Sequence, residues 1–317
     1  MIETTISPPA GSIAPGARRY RVICNPNAGA KRRLPTEPDL MDRLRDALGR
    51  HRLAADLVAT EDEEAAVAAV REAIGSGIDV VVAAGGDGTV GTVANELIGS
   101  SACLGILPMG TVMNVARSLG IPRDLDEAVA ALARSRAVEI DVGEVAGRPF
   151  YENASVGLNA AMFREADHFG RPGWVSVLRT IWVAIRYRPA RITVHLDDEV
   201  VRTRALMVAV ANGPYTGVGM TVAPDARLDD GRFDVRVFRG FSKWQLLRHL
   251  GAIAFGRHRY APSVSTYRSA RVRVTSARPL PARADRRDLG TTPVEFVVRP
   301  RALRVLVPGP VATLREP

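Results

Sequence analysis

The feature that most constrains the fold is an apolar run that ends in a cluster of glycines. Residues 78–84 (IDVVVAA) form a nearly uninterrupted apolar run rich in valine, and 85–89 (GGDGT) follows directly. Such a run is typical of a strand covered on both faces, because a half-exposed strand alternates apolar and polar residues. A helical segment comes next. The sequence therefore predicts a strand, a turn and a helix within a parallel sheet, whose ligands bind beyond the carboxyl ends of the strands.

The same alternation continues through the first half of the chain. Strands and helices are predicted in turn at 21–25, 40–48, 55–59, 62–74, 102–107 and from about 112 onward. Strands that alternate with helices form mostly parallel sheets, because each crossover helix returns the chain to the same end of the sheet. The first half therefore predicts an α/β domain with a mostly parallel sheet.

Beyond about residue 138 the pattern changes to short β-rich runs separated by turns. Strands are predicted at 138–145, 192–196, 205–211, 233–238, 270–275, 294–298 and 303–307. Helical stretches near 174–187 and 242–255 interrupt them, and the Arg-rich segment 278–288 is interpreted as a loop or a strand edge. Successive short strands predict an all-β, sandwich-like C-terminal domain.

The change of pattern divides the 317 residues into two domains, each long enough to bury its own core. The predicted segments are a flexible lead-in at 1–17, an α/β domain at 18–140 whose last strand returns near 303–310, and a sandwich-like domain at 141–310. Nothing in this pattern decides the oligomeric state, so a homodimer is left open.

Cysteine content and hydropathy predict a cytoplasmic protein. The only cysteines, Cys24 and Cys103, lie within apolar runs, which favours a reduced compartment over a disulfide framework. The sequence lacks a run of roughly 18 to 20 apolar residues that would span a bilayer, and its N-terminus does not resemble a signal peptide. The formal net charge of +9 favours anionic partners, namely nucleotide phosphates, nucleic acid or an acidic membrane surface.

The glycine turn at 85–89 has the properties of a phosphate site. Glycines let the backbone approach phosphate oxygens closely, and the first turn of the following helix presents N–H groups and the positive end of its dipole. Asp87 fits beside an anion when a cation lies between them, and Thr89 can cap the helix or bind phosphate. An ordinary strand-to-helix turn is the alternative, because the turn matches neither the Walker loop nor the dinucleotide fingerprint.

The turn is one of five ordered segments that resemble the diacylglycerol kinase family. They are NPNAG at 25–29, GGDGT at 85–89, LPMGTVMNVARSLGIP at 107–122, APDARLDDGRFDV at 223–235 and PRALRVLVP at 300–308. The last two resemble the bacterial lipid kinases of that family. The resemblance implies an NAD kinase/diacylglycerol kinase-like α/β domain followed by a β-sandwich-like domain. It also implies an ATP-dependent kinase that phosphorylates a diacylglycerol-like or sphingoid lipid.

By this resemblance, ATP binds at the ends of the strands in the first domain. The implied residues are Asn25, Pro26, Asn27, Ala28, Gly29, Thr60, Gly86, Asp87, Gly88, Thr89, Val90, Gly91, Thr92 and Thr111. Asp87 is also expected to act in catalysis, by organising the network of Mg²⁺ and phosphate.

The resemblance further implies a structural Mg²⁺ ion in the second domain. Asp230 would supply a carboxylate, and Arg227 and Arg232 would supply backbone carbonyl groups. Adjacent acids on a glycine-containing turn do offer the hard oxygen ligands that Mg²⁺ prefers. An ordinary hairpin turn is the alternative, because Asp-Asp-Gly is common in turns.

Two departures from the family's pattern lie near the implied ATP site. Gly91 stands where the family usually has Asn, and Met113 replaces an amide residue, although Asn114 is adjacent. The expected ATP site is therefore close to the family's pattern but not identical to it.

A third departure concerns the chemistry. Near the C-terminus the family carries Asp-Gly-Glu, and the Glu is its proposed general base; here the aligned residues are Asp285, Arg286 and Arg287. Arginine cannot accept a proton near neutral pH, whereas a base for a lipid hydroxyl group needs a carboxylate or a similar group. Asp285 and Asp288 are the two carboxylates that could substitute, and Asp285 is the predicted catalytic residue.

Three functions remain open at this point. The first is a lipid kinase that uses ATP and Mg²⁺. It would tolerate the loss of the family's base, because phosphoryl transfer depends mostly on positioning and charge neutralisation. The second, supported by Arg287, is a catalytically weak, membrane-associated protein that binds nucleotide. The third is a soluble NAD kinase-like enzyme, which shares GGDGT but is disfavoured by the NPNAG and LDDG segments.

Two segments are candidates for contact with the inner face of the membrane, where the lipid substrate lies. Residues 174–188 and 241–260 combine apolar residues at helical spacing with aromatic and arginine residues at the edges. This composition suits the headgroup boundary of a bilayer, although burial in the protein core is the alternative. Nucleic acid is not an expected partner, because the basic residues are dispersed and no recognition motif occurs.

Overall fold

The computed structural model describes residues 18–25, 40–168, 179, 182–183, 185–216, 220–239 and 264–309. The chain divides into two units. The first unit contains the residues up to Ile140 and those from Arg301 onward, and the second unit is Asp141–Pro300.

Helices and strands alternate in the first half of the chain, and strands dominate the second half. The helices are α1 (Leu40–Arg50), α2 (Glu63–Gly75), α3 (Asp87–Leu97), α4 (Asn114–Ser118), α5 (Leu125–Ala133) and α6 (Leu158–His168). The earlier strands are β1 (Tyr20–Cys24), β2 (Ala55–Ala59), β3 (Val80–Gly85), β4 (Cys103–Pro108), β5 (Arg136–Val145), β6 (Arg148–Phe150), β7 (Asn153–Gly157), β8 (Ala190–His195) and β9 (Val200–Ala205). The later strands are β10 (Met207–Ala211), β11 (Tyr215–Thr216), β12 (Met220–Thr221), β13 (Phe233–Phe238), β14 (Val264–Ser269), β15 (Arg271–Ser276), β16 (Pro281–Ala284), β17 (Arg287–Thr291) and β18 (Val294–Val307).

A parallel sheet forms the centre of the first unit. Its strands lie in the order β2-β1-β3-β4, and the C-terminal part of β18 pairs in parallel with β4. Every residue of β3 is buried, as its valine-rich sequence predicts for a central strand. Side chains cap two of the helices: Asp62 accepts a hydrogen bond from Ala65 N at the start of α2, and Asp124 accepts one from Glu127 N at the start of α5.

The second unit is built from antiparallel strands around an apolar core. One sheet has the order β14-β13-β10-β7-β16-β17, and a second group of strands has the order β18-β15-β8-β9. Side chains from both contribute to one buried cluster. In it, Phe150 stacks on Phe233 with ring centroids 5.6 Å apart and meets Phe296 edge to face at 6.0 Å. Aromatic pairs in these geometries add to the stabilisation from buried area.

The predicted fold class is confirmed, because an α/β unit with a parallel sheet is followed by an all-β, sandwich-like unit. One detail is wrong: 294–298 and 303–307, predicted as separate strands, belong to the single strand β18. Arg301, with a left-handed φ of 49°, follows Pro300 in the middle of this strand. The ladder nevertheless continues, because the first part pairs with β15 and the second with β4.

Two further boundaries differ from the prediction. The segment 205–211 is not one strand, because Leu206 separates β9 from β10 and donates its N–H to the carbonyl of Phe238 at 2.8 Å. The helix predicted from about 112 is instead the pair α4 and α5; Gly120, with φ of 69°, follows α4, and Pro122 precedes α5. None of the helices in the described ranges is both long and apolar enough to cross a bilayer.

Candidate functional site

The carboxyl ends of four parallel strands lie side by side in the first unit. Cys24 at the end of β1 pairs with Ala59 of β2 and Ala84 of β3, and Gly85 pairs with Pro108 of β4. Because β2 and β3 lie on opposite sides of β1, the order of the strands reverses at this point. Ligands of open α/β sheets bind at such a reversal, beyond the carboxyl ends of the strands.

The GGDGT turn joins β3 to α3 at this edge. Gly86 precedes the helix with an extended backbone and no side-chain cap, and the first hydrogen bond within the helix runs from Val90 N to the carbonyl of Gly86 at 3.0 Å. The earlier N–H groups of an α-helix have no partner within the helix. Gly88 is exposed, and a methyl group there would meet nothing within 4 Å among the described residues. This arrangement favours an anion at the helix terminus.

Asp87 connects this turn to the loop that follows β4. Its Oδ2 accepts a hydrogen bond from Met113 N at 3.2 Å, and Met109 N donates to the carbonyl of Gly85 at 3.0 Å. The GGDGT turn and the loop at 109–113 are therefore joined by two hydrogen bonds, one of them to a carboxylate. We call this pair the joined loops.

The joined loops also touch through their backbones. A Cβ atom at Gly110 would lie 2.9 Å from the Cα of Gly86 and 2.8 Å from the sulfur of Met113. Met113 is 2% exposed and adopts a left-handed φ of 52° as the N-cap of α4. The Met that replaces the family's amide residue thus packs inward at the base of the loop, and it contributes its backbone N–H to Asp87.

Asn25 and Thr60 lie at the ends of β1 and β2. Thr60 is buried, and its N–H and hydroxyl group both donate to the carbonyl of Cys24, at 2.8 and 3.4 Å. Asn25 is half-buried directly after β1. The predicted site residues Pro26, Asn27, Ala28 and Gly29 lie outside the described residues.

The remaining predicted ATP-site residues are in or next to α3 and α4. Thr89 packs its hydroxyl group back against Gly85, and Val90 is buried. Gly91 is half-buried on the same helix, and the hydroxyl group of Thr92 donates to Glu63 at 3.3 Å.

Thr111 is exposed on the loop after β4. Its carbonyl accepts a hydrogen bond from Arg123 at 2.8 Å. Arg123 was not among the predicted site residues. Because it contacts a backbone carbonyl group, no sequence motif indicates this contact. Asn25, Thr60, 86–89 and Thr111 thus lie on strand ends, loops or the start of α3 at one edge of the sheet, whereas 90–92 lie further along α3.

In the second unit, Asp285 occupies the turn between β16 and β17. Its carboxylate accepts three backbone hydrogen bonds, from Tyr151 N at 2.8 Å, Glu152 N at 3.0 Å and Asn153 N at 3.2 Å. Burial raises the pKa of the Asp285 carboxyl above its ordinary value, and the three N–H groups oppose that rise. Asp285 therefore combines an elevated pKa with a fixed orientation.

The neighbours of Asp285 have different partners. Arg287, which the resemblance aligns with the family's proposed base, donates to the carbonyl of Pro149 at 2.7 Å. Asp288 receives two hydrogen bonds of 2.6 Å from Arg164, which holds the pKa of that carboxyl below its ordinary value. Of the two carboxylates left open by the sequence, Asp285 has the pKa shift that suits a base.

The LDDG turn precedes β13 in the second unit. Gly231 has a left-handed φ of 70°, which a residue with a side chain rarely adopts, and Asp230 accepts a hydrogen bond from Arg232 N at 3.1 Å. The side chain of Arg227 pairs with Asp229 at 3.0 Å. The three predicted metal-binding residues are thus on one tight turn.

A buried acid that the sequence analysis missed supports this turn. Asp141 of β5 is 1% exposed; its N–H donates to the carbonyl of Leu228, and its Oδ2 accepts from Gly231 N, both at 2.6 Å. The sequence offers no clear signal for Asp141, because 138–145 (VEIDVGEV) also contains Glu139 and Glu144. Burial raises the pKa of Asp234; Arg268 and Arg236 oppose the rise, and the nearby acids Asp230 and Asp225 add to it.

No group of three or more His, Cys, Asp or Glu side chains arranged to hold a metal occurs in the part of the chain that the structure describes. The predicted site in the LDDG turn does not require such a group, because it relies on one carboxylate and backbone carbonyls, which are ordinary ligands of hard cations. The turn therefore remains a candidate for Mg²⁺.

The predicted membrane-facing segments fall mostly outside the described residues, and 241–260 does so entirely. In the first segment, Trp182 is 58% exposed and Ile185 is 38% exposed. The guanidinium group of Arg186 lies 4.9 Å from the centre of the Trp182 ring. Trp182, Ile185 and Val200 are the exposed large apolar residues in the described ranges.

Both units match models of known families. Residues 19–145 match the diacylglycerol kinase catalytic domain, and residues 153–307 match the YegS C-terminal NAD kinase beta sandwich-like domain. The crystal structure of a diacylglycerol kinase from Bacillus anthracis superimposes with a TM-score of 0.70 at 19% sequence identity and covers 92% of this chain and 97% of that chain. At this identity, the superposition supports the fold alone.

Relatives of this chain carry similar names. A protein from Pseudomonas aeruginosa named "Probable lipid kinase YegS-like" is 30% identical over 255 residues, or 78% of this chain and 83% of that protein. The diacylglycerol kinase of Bacillus subtilis is 26% identical over 306 residues, or 92% and 97%. A YegS-like protein from Klebsiella pneumoniae is 32% identical over 181 residues, which span 55% of this chain and 61% of that protein.

Proposed function

Because this chain belongs to the diacylglycerol kinase family of lipid kinases, we propose that it transfers the γ-phosphate of ATP to a hydroxyl group of a diacylglycerol-like or sphingoid lipid. The observation that carries the proposal is the pair of joined loops, in which Asp87 links the uncapped start of α3 to the loop after β4. The protein would act in the cytoplasm, at the inner face of the membrane.

In this proposal, the first unit holds the nucleotide with its backbone. The N–H groups at the start of α3 would contact phosphate oxygens, and Gly86 and Gly88 would let the chain approach them. Asn25, Thr60 and Thr111 would border the nucleotide at the ends of the neighbouring strands. Mg²⁺ bound with ATP would neutralise phosphate charge during transfer. The Asp87 carboxylate, which keeps one oxygen outside its bond to Met113, is the residue suited to hold that ion.

We propose that Asp285 is the group that receives the proton of the lipid hydroxyl. Support comes from its raised pKa and from the three N–H groups of residues 151–153 that fix it. A base is most effective when its pKa approaches the working pH, so burial favours Asp285 over Asp288, whose bond to Arg164 keeps it ionised.

We expect Asp285→Asn to lower kcat by about 100-fold, because an amide cannot accept the proton. It should also cost about 1–3 kcal/mol of stability, because one amide oxygen cannot serve three N–H donors. Asp288→Asn is the matched control and should keep most of the activity. The measurement is the pH profile of kcat, in which the acidic limb should disappear for Asp285→Asn. If the Asp285→Asn protein folds and its kcat is unchanged, Asp285 is not the group that accepts the proton.

We further propose that the LDDG turn binds a structural Mg²⁺ ion through Asp230 and the carbonyl groups of Arg227 and Arg232. The support is the Asp230 carboxylate on a tight turn that Asp141 holds through its bond to Gly231 N. Such an ion would stabilise the second unit without taking part in phosphate transfer.

Thermal unfolding without nucleotide should reveal this ion. We expect Mg²⁺ to raise Tm of the original protein relative to EDTA, because a ligand of the folded state alone stabilises it. Asp230→Asn should abolish the rise, whereas the control Asp229→Asn should keep it, because Asp229 is already paired with Arg227. An equal Mg²⁺ response in all three proteins would place the ion elsewhere.

A weakly catalytic nucleotide-binding protein is the second candidate, because Arg287 fills the position of the family's base and donates to Pro149. The deciding experiment incubates the protein with labelled ATP, Mg²⁺ and vesicles that contain diacylglycerol or a sphingoid base. Labelled lipid is the expected result. ATP binding without labelled lipid would support the second candidate, and label on added NAD would support an NAD kinase-like activity instead.

A further inference from the structure

An outward face of the second unit carries three closely spaced arginines. In β8 and β9, the residues alternate between the buried core and solvent, so that Val194 and Val201 point inward. The outward positions include Arg191 of β8 and Arg202 and Arg204 of β9, and all three are exposed. We call these three side chains the arginine face.

The arginine face has no counter-charge among the residues that the structure describes. None of its three side chains forms an ion pair or a hydrogen bond with any residue that the structure describes. Other arginines of the same unit do have partners: Arg271 lies 3.6 Å from Glu295, and Arg299 lies 3.4 Å from Glu144. An external anionic partner could therefore pair with the arginine face. Arg271 and Arg299, in contrast, already have acidic partners within the unit.

The register places two of these charges directly opposite each other. Arg191 pairs with Arg204 across the β8–β9 ladder, and Thr193 pairs with Arg202. Like charges at directly opposed positions destabilise an antiparallel pair. An external anionic surface would remove this repulsion. The arrangement therefore lowers the stability of the unbound protein but favours binding to such a surface.

The chemistry around the arginine face suits a lipid surface. The outward positions of β8 and β9 hold Arg, Thr, His and Val, without a Phe, Tyr or Trp ring on which a nucleic acid base could stack. Trp182 and Ile185, both exposed, precede β8 in the chain, and tryptophan is enriched at the boundary between water and lipid. Each arginine near an anionic leaflet strengthens binding by about fivefold, so three give about 100-fold.

We propose that the arginine face docks the second unit on a bilayer that contains anionic phospholipid. This deepens the proposed lipid kinase by naming the surface that meets the membrane. The binding itself requires no phosphate transfer, so its success or failure is independent of the chemistry.

The test is sedimentation of the full chain with vesicles of phosphatidylcholine alone or mixed with phosphatidylglycerol. The triple variant Arg191→Gln/Arg202→Gln/Arg204→Gln should bind the mixed vesicles about 100-fold more weakly than the original protein. It should still bind ATP and phosphorylate lipid dispersed in neutral detergent. An unchanged affinity for the mixed vesicles would overturn the proposal.

A matched variant controls for the net charge of +9, which by itself attracts the protein to anionic vesicles. Arg43→Gln/Arg52→Gln/Arg134→Gln removes three exposed arginines of the first unit and should keep most of the binding. Equal losses in the two triple variants would show that general charge, rather than this face, drives binding. A larger loss for duplex DNA than for vesicles in the Arg191/Arg202/Arg204 variant would identify nucleic acid as the partner and overturn the proposal.

A single substitution separates docking from damage to the fold. Arg204→Glu places an acid opposite Arg191, so it should raise Tm while it weakens binding to the mixed vesicles. A misfolded protein would show a lower Tm instead. Loss of binding together with a higher Tm supports the arginine face, and retained binding with a higher Tm overturns it. Absence of labelled lipid in the kinase assay, with vesicle binding intact, would count against the proposed function alone.

Discussion

Replacing Asp87 by alanine should abolish phosphate transfer and weaken the binding of Mg-ATP. We expect kcat to fall by about 100-fold or more, the size of effect seen when a preorganised electrostatic group is removed from an active site. Two losses combine in Asp87→Ala: the negative charge suited to hold a cation, and the acceptor that fixes Met113 N at 3.2 Å. The measurements are single-turnover transfer from labelled ATP and calorimetric binding of Mg-ATP.

A second substitution separates these two losses. Asp87→Asn keeps an oxygen that can accept from Met113 N but removes the charge, so it should be as inactive as Asp87→Ala while binding ATP more tightly than that variant. Asp62→Asn is the matched control, because Asp62 is an exposed acid that caps α2 near the same edge of the sheet. If Asp87→Asn retains activity, the role of Asp87 is limited to holding the joined loops together through its hydrogen bond to Met113 N.

The first unit follows closely from the sequence because its signals are local. The run at 80–85 is apolar throughout, and the observed strand is buried at every position. The helix after it starts at the first residue beyond the glycines, as expected when Gly86 provides the N-cap. Each parallel strand in this unit ends within a few residues of a predicted motif, so the register alone gathers those motifs at one edge.

Several strands of the second unit could not be predicted, because their sequences lack strong apolar signals. The strand Val200–Ala205 (VVRTRA) carries two outward arginines, and Asn153–Gly157 (NASVG) is rich in small and polar residues. Asn153–Gly157 becomes a strand between β10 and β16, and Val200–Ala205 becomes one at the sheet edge against β8; these neighbours supply hydrogen bonds and a core to cover. Their formation is decided by the tertiary fold more than by intrinsic preference.

The contacts within the site also could not be predicted from the local sequence. Asp87 and Met113 are separated by 26 positions, and their hydrogen bond depends on the left-handed backbone of Met113. Asp285 reaches backbone N–H groups more than 130 positions away. The sequence therefore indicates which residues matter, whereas only the structure indicates which atoms they hold.

The close approach of the joined loops leads to the other prediction with a large effect. A methyl group at Gly110 would lie 2.9 Å from the Cα of Gly86, closer than real Cβ contacts, and backbone cannot move aside as a flexible side chain can. Gly110→Ala should therefore push the two loops apart. Because a misplacement of about 1 Å can cost a factor of about 100 in rate, we expect kcat/KM for ATP to fall by that order.

Global stability should respond much less to Gly110→Ala, because the strain falls on the joined loops and leaves the strands β3 and β4 paired. Gly49→Ala in α1 provides the control: a methyl group there meets nothing within 4 Å of the described residues, and it should stabilise the helix by about 0.5–1 kcal/mol. Thermal melts and ATP titrations of the two variants make the comparison. If Gly110→Ala binds ATP as tightly as Gly49→Ala does, the contact between the loops is not what shapes the nucleotide site.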